Sequence, residues 1–387
     1  GGEADHLRRA MASWGKNGDL AQFEDKLISG MRDRGHSQDF AERLFSQIEG
    51  FGSYGFPESH SASFALLVYF SAWLKLYHPA AFYAGLLNSQ PMGFYSPSQL
   101  IQDARRHNIR VLAVCINNSD WEHSLDLSAK TPALRLGLRL VKGISEKSAN
   151  TLTQSRQAKA FSSVNDVKMR KLLASDELRK LITANAFRSF ESNRRHAYWQ
   201  SLELNGLELD DLEQNNRRNS KPEKRSGNHQ VKASNNYIKP TTPMEDMLAD
   251  YASARGVSLD YHPLQLLRNS APFKRCATAN QLLSRRHNSL IEIAGVVTGR
   301  QRPGTASGVI FMTLEDETGN INVVLWKGTQ KLFRQQILNS QLLYIKGSLE
   351  ISTDADGQHG VANVVASYIE CQDHVLPLLN AKSRDFH

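Results

Sequence analysis

The most restrictive feature of the sequence is the order of strand patterns in its C-terminal part. Segments that are rich in β-branched residues, or that alternate apolar with polar residues, lie at 290–299, 308–315, 319–326, 341–351 and 359–371. A helical pattern near 328–338 separates the third segment from the fourth. Five strands with one helix at that place is the order of an OB-fold barrel, so we predict a C-terminal OB-fold β-barrel over 290–373.

The connection between the second and third strands has the composition of a tight hairpin. It reads Glu315-Asp316-Glu317-Thr318-Gly319-Asn320. Tight hairpins need a residue with a positive φ angle, which glycine adopts without steric cost. We therefore predict that Gly319 has a positive φ angle.

Helical periodicity dominates residues 1–110, which predicts a helical N-terminal portion. Its most apolar stretch, 64–76, lies in a helix predicted from 58 to 77 that ends before Pro79. The stretch is interrupted by Ser71 and Lys75 and is too short to cross a bilayer. It is therefore predicted to be a buried core helix.

Residues 111–200 combine short strand patterns with a helix–turn–helix pattern. Lys142-Gly143-Ile144-Ser145 precedes a helical segment that carries Lys147. A glycine hairpin before a helix N-terminus exposes backbone N–H groups to a phosphate, and nearby lysines add positive charge. We therefore predict a helix-hairpin-helix DNA-binding domain, with Lys142, Gly143, Ser145 and Lys147 as candidate DNA contacts. An ordinary helix turn is the competing interpretation.

Residues 201–242 have the composition of a flexible charged linker. Acidic residues dominate 203–213, and 217–239 contain seven lysines or arginines against one acidic residue. Few apolar residues are available there to form a core. The predicted fold class is therefore multidomain α plus β: a helical portion at 1–110, the helix-hairpin-helix domain, the linker, a helical connector at 243–289, the barrel and a tail at 374–387.

The net charge of +8 favours a polyanionic partner, with nucleic acid ahead of a membrane surface. Cys115, Cys276 and Cys371 are far apart and form no C-x-x-C motif, which argues against a disulfide framework and a structural zinc site. No secretory signal is present. We expect a cytoplasmic protein whose own residues bind no metal.

The predicted barrel carries five candidate contacts for nucleic acid. OB folds bind oligonucleotides with basic side chains along the backbone and with aromatic rings that stack on bases. The candidates are Arg300, Arg302, Phe311, Trp326 and Lys327. The two arginines lie in a Pro-Gly loop and are expected to be exposed. The inward positions of a small barrel must be filled, however, and this favours a place for Phe311 and Trp326 in the barrel core.

Four residues of the helical portion are candidates for phosphate contact. Guanidinium groups match phosphate oxygens, which suggests Arg8 and Arg9, although a solvated helix face explains a lone arginine pair as well. Ser59 and His60 follow a Gly-rich turn at a helix start, where helix capping is the competing explanation.

The sequence contains no nucleophile triad, Walker loop, G-x-G-x-x-G motif or close pair of strand aspartates for two Mg²⁺ ions. The residues alone therefore indicate nucleic-acid binding without a complete active site, and they assign no catalytic residue.

Several longer strings resemble the C-family of bacterial DNA polymerases, the family of the replicative polymerase III alpha subunit. Two of them match signatures of the fingers region: 3–11, which contains Arg8-Arg9, and 52–67, which contains Ser59-His60. Pro57-Glu58 stands where the replicative enzymes usually carry Asn-Lys. That pair is similar to the error-prone branch, as are the strings at 87–95, 302–308, 314–320 and 383–387.

The resemblance implies that residues 1–110 are part of the fingers of an error-prone DNA-directed DNA polymerase. Such an enzyme performs nucleotidyl transfer to a primer 3′ end in translesion synthesis and damage-induced mutagenesis. Its implied partners are primer-template DNA, single-stranded DNA, deoxynucleoside triphosphates, a sliding clamp and mutagenesis accessory proteins. The implied nucleotide-binding residues are Arg8, Arg9, Ser59 and His60. Mg²⁺ and the catalytic carboxylates would belong to a palm domain that matches nothing in this sequence, so the chain alone is expected to be inactive.

Two other functions are compatible with the residues. A non-catalytic DNA-binding scaffold would use the helix-hairpin-helix and OB elements, and it fits the missing carboxylates and the positive net charge. An RNA-binding OB module, similar to the anticodon-binding domain of a synthetase, explains the barrel but leaves 1–110 without a role.

Overall fold

The computed structural model describes residues 21–53, 58–93, 95–202, 239–303, 308–353, 359–376, 379 and 384–386. The chain divides into two compact units between Tyr77 and His78. Each unit is described by itself.

The first unit contains three described helices, Ala21–Arg32, Gln38–Ser53 and Glu58–Tyr77. The first two pack against each other, and Ala41 and Phe45 of the second are buried. The hydroxyl of Ser37 accepts a hydrogen bond from the backbone N–H of Phe40 at 3.3 Å, which caps the second helix at its N-terminus.

The third helix, Glu58–Tyr77, is called the apolar helix below. The sequence predicts its bounds correctly, but the prediction that it is buried is wrong, because its large side chains are exposed. Phe64, Tyr69 and Phe70, which point to different sides of the helix, are all more than half exposed. No helix in the described part of the chain is long and apolar enough to span a membrane.

The second unit begins with two helices and a small sheet. Helix Pro97–Arg106 starts with a reciprocal cap, in which Ser96 Oγ accepts from Gln99 N at 3.3 Å and Gln99 Oε1 accepts from Ser96 N at 2.9 Å. The sheet places β3 between β1, which is parallel to it, and β2, which is antiparallel. The bounds are Pro79–Asn88 and Pro97–Arg106 for the helices, and Val111–Leu112, Ser124–Asp126 and Ala133–Arg135 for β1, β2 and β3.

Four helices follow the small sheet and share its core. They are Glu146–Ala158, Val164–Met169, Ser175–Thr183 and Arg194–Leu202. The chain turns between the last two of these helices, where Asn185 has a positive φ angle of 55°. Leu134, Leu152, Leu181 and Phe187 are fully buried in the shared core.

The C-terminal part forms a barrel-like sheet, which confirms the OB-fold prediction. Its strands are β4 (Leu290–Gln301), β5 (Ile310–Glu315), β6 (Asn320–Leu325), β7 (Leu342–Thr353) and β8 (His359–Cys371), with two short helices, Lys327–Leu332 and Arg334–Asn339, between β6 and β7. Strand β4 pairs with both β5 and β7, and β6 pairs in parallel with β8, so the sheet closes on itself.

The hairpin between β5 and β6 is stabilised by an aspartate, and the prediction for Gly319 is wrong. Gly319 does not have a positive φ angle. Instead Asp316 Oδ1 accepts hydrogen bonds from the backbone N–H groups of Thr318 at 2.7 Å and Gly319 at 2.9 Å. An aspartate side chain that bonds its own following backbone forms the turn without a left-handed residue.

A sixth strand lies where the sequence predicts only a tail. Strand β9 (Arg384–Phe386) pairs in parallel with Gly299–Gln301 of β4. Strand β7 leaves β4 at Val296, so β9 covers the edge of β4 beyond that point.

The helix Pro243–Ser253, called the connector helix below, contacts both the helix-hairpin-helix region and the barrel. Its Met247 and Tyr251 pack in one buried cluster with Ala294 and Val296 of β4. Its acidic residues also pair with Arg194 and Arg195, and its C-terminal end contacts Lys142. The remaining helices of this region are Pro263–Leu267 and Ala279–Leu282.

Candidate nucleic-acid interface

The predicted hairpin is present, and glycine is required at its tip. Gly143 has a φ angle of +81°, which L-residues with a side chain rarely adopt. Helix Glu146–Ala158 begins shortly after this glycine, with Ser145 at its N-cap position. The backbone N–H groups of Gly143 and Ser145 donate to no acceptor in the described part of the chain, and both residues are exposed. Free N–H groups ahead of a helix N-terminus are suited to an anion.

The four candidate residues of the hairpin differ in what their side chains already contact. Lys142 Nζ donates to the backbone oxygen of Ala252 at 2.6 Å, at the C-terminal end of the connector helix. Ser145 Oγ accepts from Ser148 N at 3.1 Å and so caps its own helix. Lys147 is exposed and makes no ion pair with any described residue. Of the two lysines, Lys147 therefore has the charge that is free for an added phosphate.

The structure adds one cation that sequence analysis missed. Lys180 lies against Gly143, and its Nζ would be 2.6 Å from a Cβ atom on that glycine. Its ammonium group donates to the Gly143 carbonyl oxygen at 3.4 Å and pairs with Asp176. Lys180 comes from helix Ser175–Thr183, far from the hairpin in sequence, so no local pattern could have indicated it.

Replacement of Gly143 by alanine is expected to lower the free energy of unfolding by about 1–2 kcal/mol, because a Cβ atom at this φ angle is strained, and to displace Lys180 as well. Gly256 is a matched control: its φ angle is +83°, yet no described residue lies within 4 Å of its Cβ position. Urea unfolding should show a larger loss for Gly143→Ala than for Gly256→Ala. Equal losses would show that the contact with Lys180 is irrelevant.

On the barrel, both aromatic candidates lie outside the core. The side chain of Phe311 is 40% exposed and that of Trp326 is 56% exposed, so the prediction that they fill the barrel core is wrong. The strand register explains this for Phe311: it pairs with Gln301 on one side and Val324 on the other, while its neighbours Met312 and Leu314 supply buried side chains. Phe311 thus belongs to the outer surface.

Two basic candidates of the barrel come together at Gly308. A Cβ atom on Gly308 would lie 2.8 Å from Lys327 Cε and 3.8 Å from Arg302 Nη2, so the two side chains flank one backbone position. Both are exposed, and neither makes an ion pair within the described residues. Trp326 precedes Lys327 directly, so an exposed indole and two uncompensated cations share one end of the barrel.

Arg300 is buried, with 9% of its surface exposed, and the prediction that it lies in an exposed loop is wrong. Strand β4 extends to Gln301, so Arg300 is part of the sheet. Its guanidinium donates to the backbone oxygens of Ile337 and Ser340, at the end of helix Arg334–Asn339. These bonds satisfy two carbonyl oxygens at the helix end, where donors from the helix itself run out.

Of the four phosphate candidates in the first unit, only His60 has a side chain among the described ones. Arg8 and Arg9 lie outside the described residues, as does the side chain of Ser59. His60 is exposed, and its ring centroid lies 4.4 Å from that of Phe64. The described residues also contain no group of three or more His, Cys, Asp or Glu side chains that could hold a metal ion.

Known proteins match both regions. A helix-hairpin-helix motif model matches residues 108–197, and an OB-fold nucleic acid binding domain model matches 291–371. An error-prone DNA polymerase of Teredinibacter turnerae is 48% identical over 394 residues, and one of Vibrio campbellii is 48% identical over 392 residues. The chain is similar throughout to error-prone DNA polymerases. All of this chain is matched, but it spans 36% of the length of these two relatives.

This similarity to error-prone DNA polymerases confirms the family resemblance drawn from the strings, and the two domain matches confirm the helix-hairpin-helix and OB predictions. Solved structures resemble smaller parts of the chain. An asparaginyl-tRNA synthetase of Pyrococcus horikoshii is 19% identical with a TM-score of 0.21, covering 24% of this chain and 22% of its own.

Proposed function

We propose that this chain is the DNA-binding portion of an error-prone DNA polymerase. The observation that carries the proposal is the similarity along the whole chain to polymerases of that name. The activity of the whole protein is then DNA-directed DNA synthesis across damaged template, with Mg²⁺ and deoxynucleoside triphosphates. The carboxylates for nucleotidyl transfer would lie outside this chain, with Arg8 and Arg9 contributing to the triphosphate site. A sliding clamp and mutagenesis accessory proteins are its proposed partners.

Within that protein, the two domains hold different forms of DNA. The hairpin at Gly143, with its free N–H groups and Lys147, suits the phosphates of a duplex. The outer barrel surface that carries Phe311, Trp326, Arg302 and Lys327 suits a single strand, because exposed rings stack on unpaired bases and cations follow the backbone. The chain would therefore bind both the duplex part and the single-stranded part of the template DNA, on either side of their junction.

The salt dependence of single-strand binding tests this assignment. Each phosphate neutralised on a single strand contributes about 0.7 to the slope of log affinity against log salt concentration. Fluorescence anisotropy with labelled oligo(dT) should give a slope that is smaller by about 1.4 for the double variant Arg302→Gln/Lys327→Gln. The control variant Arg285→Gln/Arg286→Gln removes two exposed cations that precede the first residue of β4, whereas Arg302 follows the last. Equal slopes for both variants would exclude the proposed surface.

The scaffold hypothesis predicts the same binding but no synthesis. A primer-extension assay with the full-length gene product that includes this chain separates the two. Extension of a primer opposite a damaged base supports the polymerase, and binding without extension supports the scaffold.

A further inference from the structure

A cleft of about 800 Å³ lies within the second unit and shares Lys142 with the hairpin described above. Its lining comes from residues 87–99, the helix-hairpin-helix region, the connector helix with the residues after it, and the barrel. Apolar side chains supply part of each wall, with Leu87 and Leu140 on one side and Val296 and Val297 on the other. Its volume is within the range of small-molecule sites, which combine apolar walls with a few polar groups.

Glu315 lines this cleft and has an unused acceptor. It is the last residue of β5, and its side chain is only 4% exposed. Oε2 is buried and has no hydrogen-bond partner among the described residues, while Oε1 lies 3.6 Å from His262 Nε2. A buried acceptor without a donor costs free energy. A ligand with an N–H group in the cleft would supply the missing donor.

Three cations line the same cleft. Arg139 pairs with Glu122, and the Lys142 ammonium donates to backbone oxygens of the connector helix. Arg255 is exposed and makes no ion pair with a described residue. The lining therefore carries more positive than negative charge, which suits an anionic group at the Arg255 side.

His123 adds a neutral group to the lining. Its Nδ1 accepts from the backbone N–H of Gly137 at 3.2 Å, so the neutral ring carries its proton on Nε2. Burial and, to a smaller extent, the nearby Arg139 charge lower the pKa of His123 to about 4. The ring is thus uncharged at neutral pH.

We infer that this cleft binds a nucleotide whose base carries an exocyclic amino group. The phosphate would contact Arg255, the base would lie between the apolar walls, and its amino group would donate to Glu315 Oε2. This site goes beyond the proposed function, because its two proposed contacts, Arg255 and Glu315, belong neither to the hairpin nor to the outer barrel surface. Cytosine and thymine are a suitable pair for testing the contact with Glu315. They have similar size, but cytosine presents an amino donor where thymine presents a carbonyl acceptor.

Calorimetric titration of the full chain with dCMP and dTMP tests the inference. We expect dCMP to bind about tenfold more tightly than dTMP, the discrimination of a good base contact. Glu315→Gln should remove most of that preference, since the uncharged amide is a weaker acceptor. Arg255→Gln should weaken both nucleotides equally, whereas Arg285→Gln should change neither. Equal binding of dCMP and dTMP, or a preference that survives in Glu315→Gln, would overturn the site.

Competition identifies the source of the nucleotide. Displacement of dCMP by oligo(dC), lost in Glu315→Gln, would assign the cleft to a base within a DNA strand. Retention of dCMP in the presence of oligo(dC) would assign it to a free nucleotide. In either case Trp326→Ala should leave dCMP binding unchanged, so failure of the barrel surface and failure of the cleft give different results. If Trp326→Ala abolishes dCMP binding, the cleft is not the site.

Discussion

Substitution of Trp326 by alanine is expected to weaken single-strand DNA binding by about tenfold or more. Stacking of one base on an aromatic side chain contributes about 1–3 kcal/mol, and 1.4 kcal/mol corresponds to a factor of ten. The indole is 56% exposed and adjoins Lys327, so a base that stacks on it would have its phosphate near a cation. The measurement is the dissociation constant for a short oligo(dT) at fixed salt concentration.

The control for this experiment is Trp199→Ala. Trp199 is exposed to a similar degree, at 54%, but it lies on helix Arg194–Leu202, outside the barrel. Both variants remove an exposed indole, so both should unfold at nearly the same urea concentration as the unmodified chain. Similar affinities for the two variants would show that the indole at the barrel has no special role in binding.

The barrel could be predicted from sequence because its signal is local. Each strand alternates or is continuously apolar, and the helix between β6 and β7 fixes their order. The direction of individual side chains was less accessible. Phe311 faces outward because its register with Gln301 and Val324 places it there, and register depends on pairing between distant segments.

Two basic side chains make contacts that local sequence patterns do not indicate, for a related reason. Lys142 and Arg300 are both suitable for a phosphate by residue type, yet each donates to backbone oxygens at the end of a helix. The acceptors lie at Ala252 and Ile337, which are distant in sequence, and no spacing rule links them. Exposed cations without partners, such as Lys147 and Lys327, are the better candidates, and they are distinguished only in three dimensions.

The apolar helix shows that amino-acid composition alone does not predict whether a helix is buried. A helix that is apolar on all sides is normally buried, which is why sequence predicts a core position for it. The described residues leave Phe64, Val68 and Leu76 exposed instead. Composition can thus indicate that a helix face needs a partner, but it cannot state which part of a protein supplies that partner.

The second large effect is expected at Arg194, which ties the connector helix to the helix-hairpin-helix region. Arg194 is buried, and its guanidinium pairs with Asp250 and donates to the backbone oxygen of Asp246 at 3.0 Å. Removal of one partner from a buried ion pair typically costs about 3–5 kcal/mol, because the other charge stays buried without compensation. Arg194→Met should lower the free energy of unfolding by about 3 kcal/mol, measured by urea unfolding at pH 7.

The pH dependence of the free energy of unfolding shows whether the loss in Arg194→Met comes from charge. Burial raises the pKa of Asp250, and Arg194 opposes that rise. Without Arg194 the pKa of Asp250 in the folded state rises further above its value in the unfolded state. The folded state then favours the protonated carboxyl, and stability is lost as the pH increases and the buried carboxyl must ionise. The loss in Arg194→Met should therefore be smaller at pH 4 than at pH 7. A loss that does not change with pH would indicate a packing defect.

Two further variants isolate the pair. Arg194→Met/Asp250→Leu removes both charges and should recover much of the stability, since an apolar pair of similar volume often replaces a buried ion pair without loss. Arg188→Met breaks the half-exposed pair with Asp260, whose atoms lie 3.0 Å apart, and should cost less than about 1 kcal/mol. If the double variant is as unstable as Arg194→Met, the ion pair is not what holds the connector helix. Its position is then due to the packing of Met247 and Tyr251 and to the contacts of Lys142 with its C-terminal end.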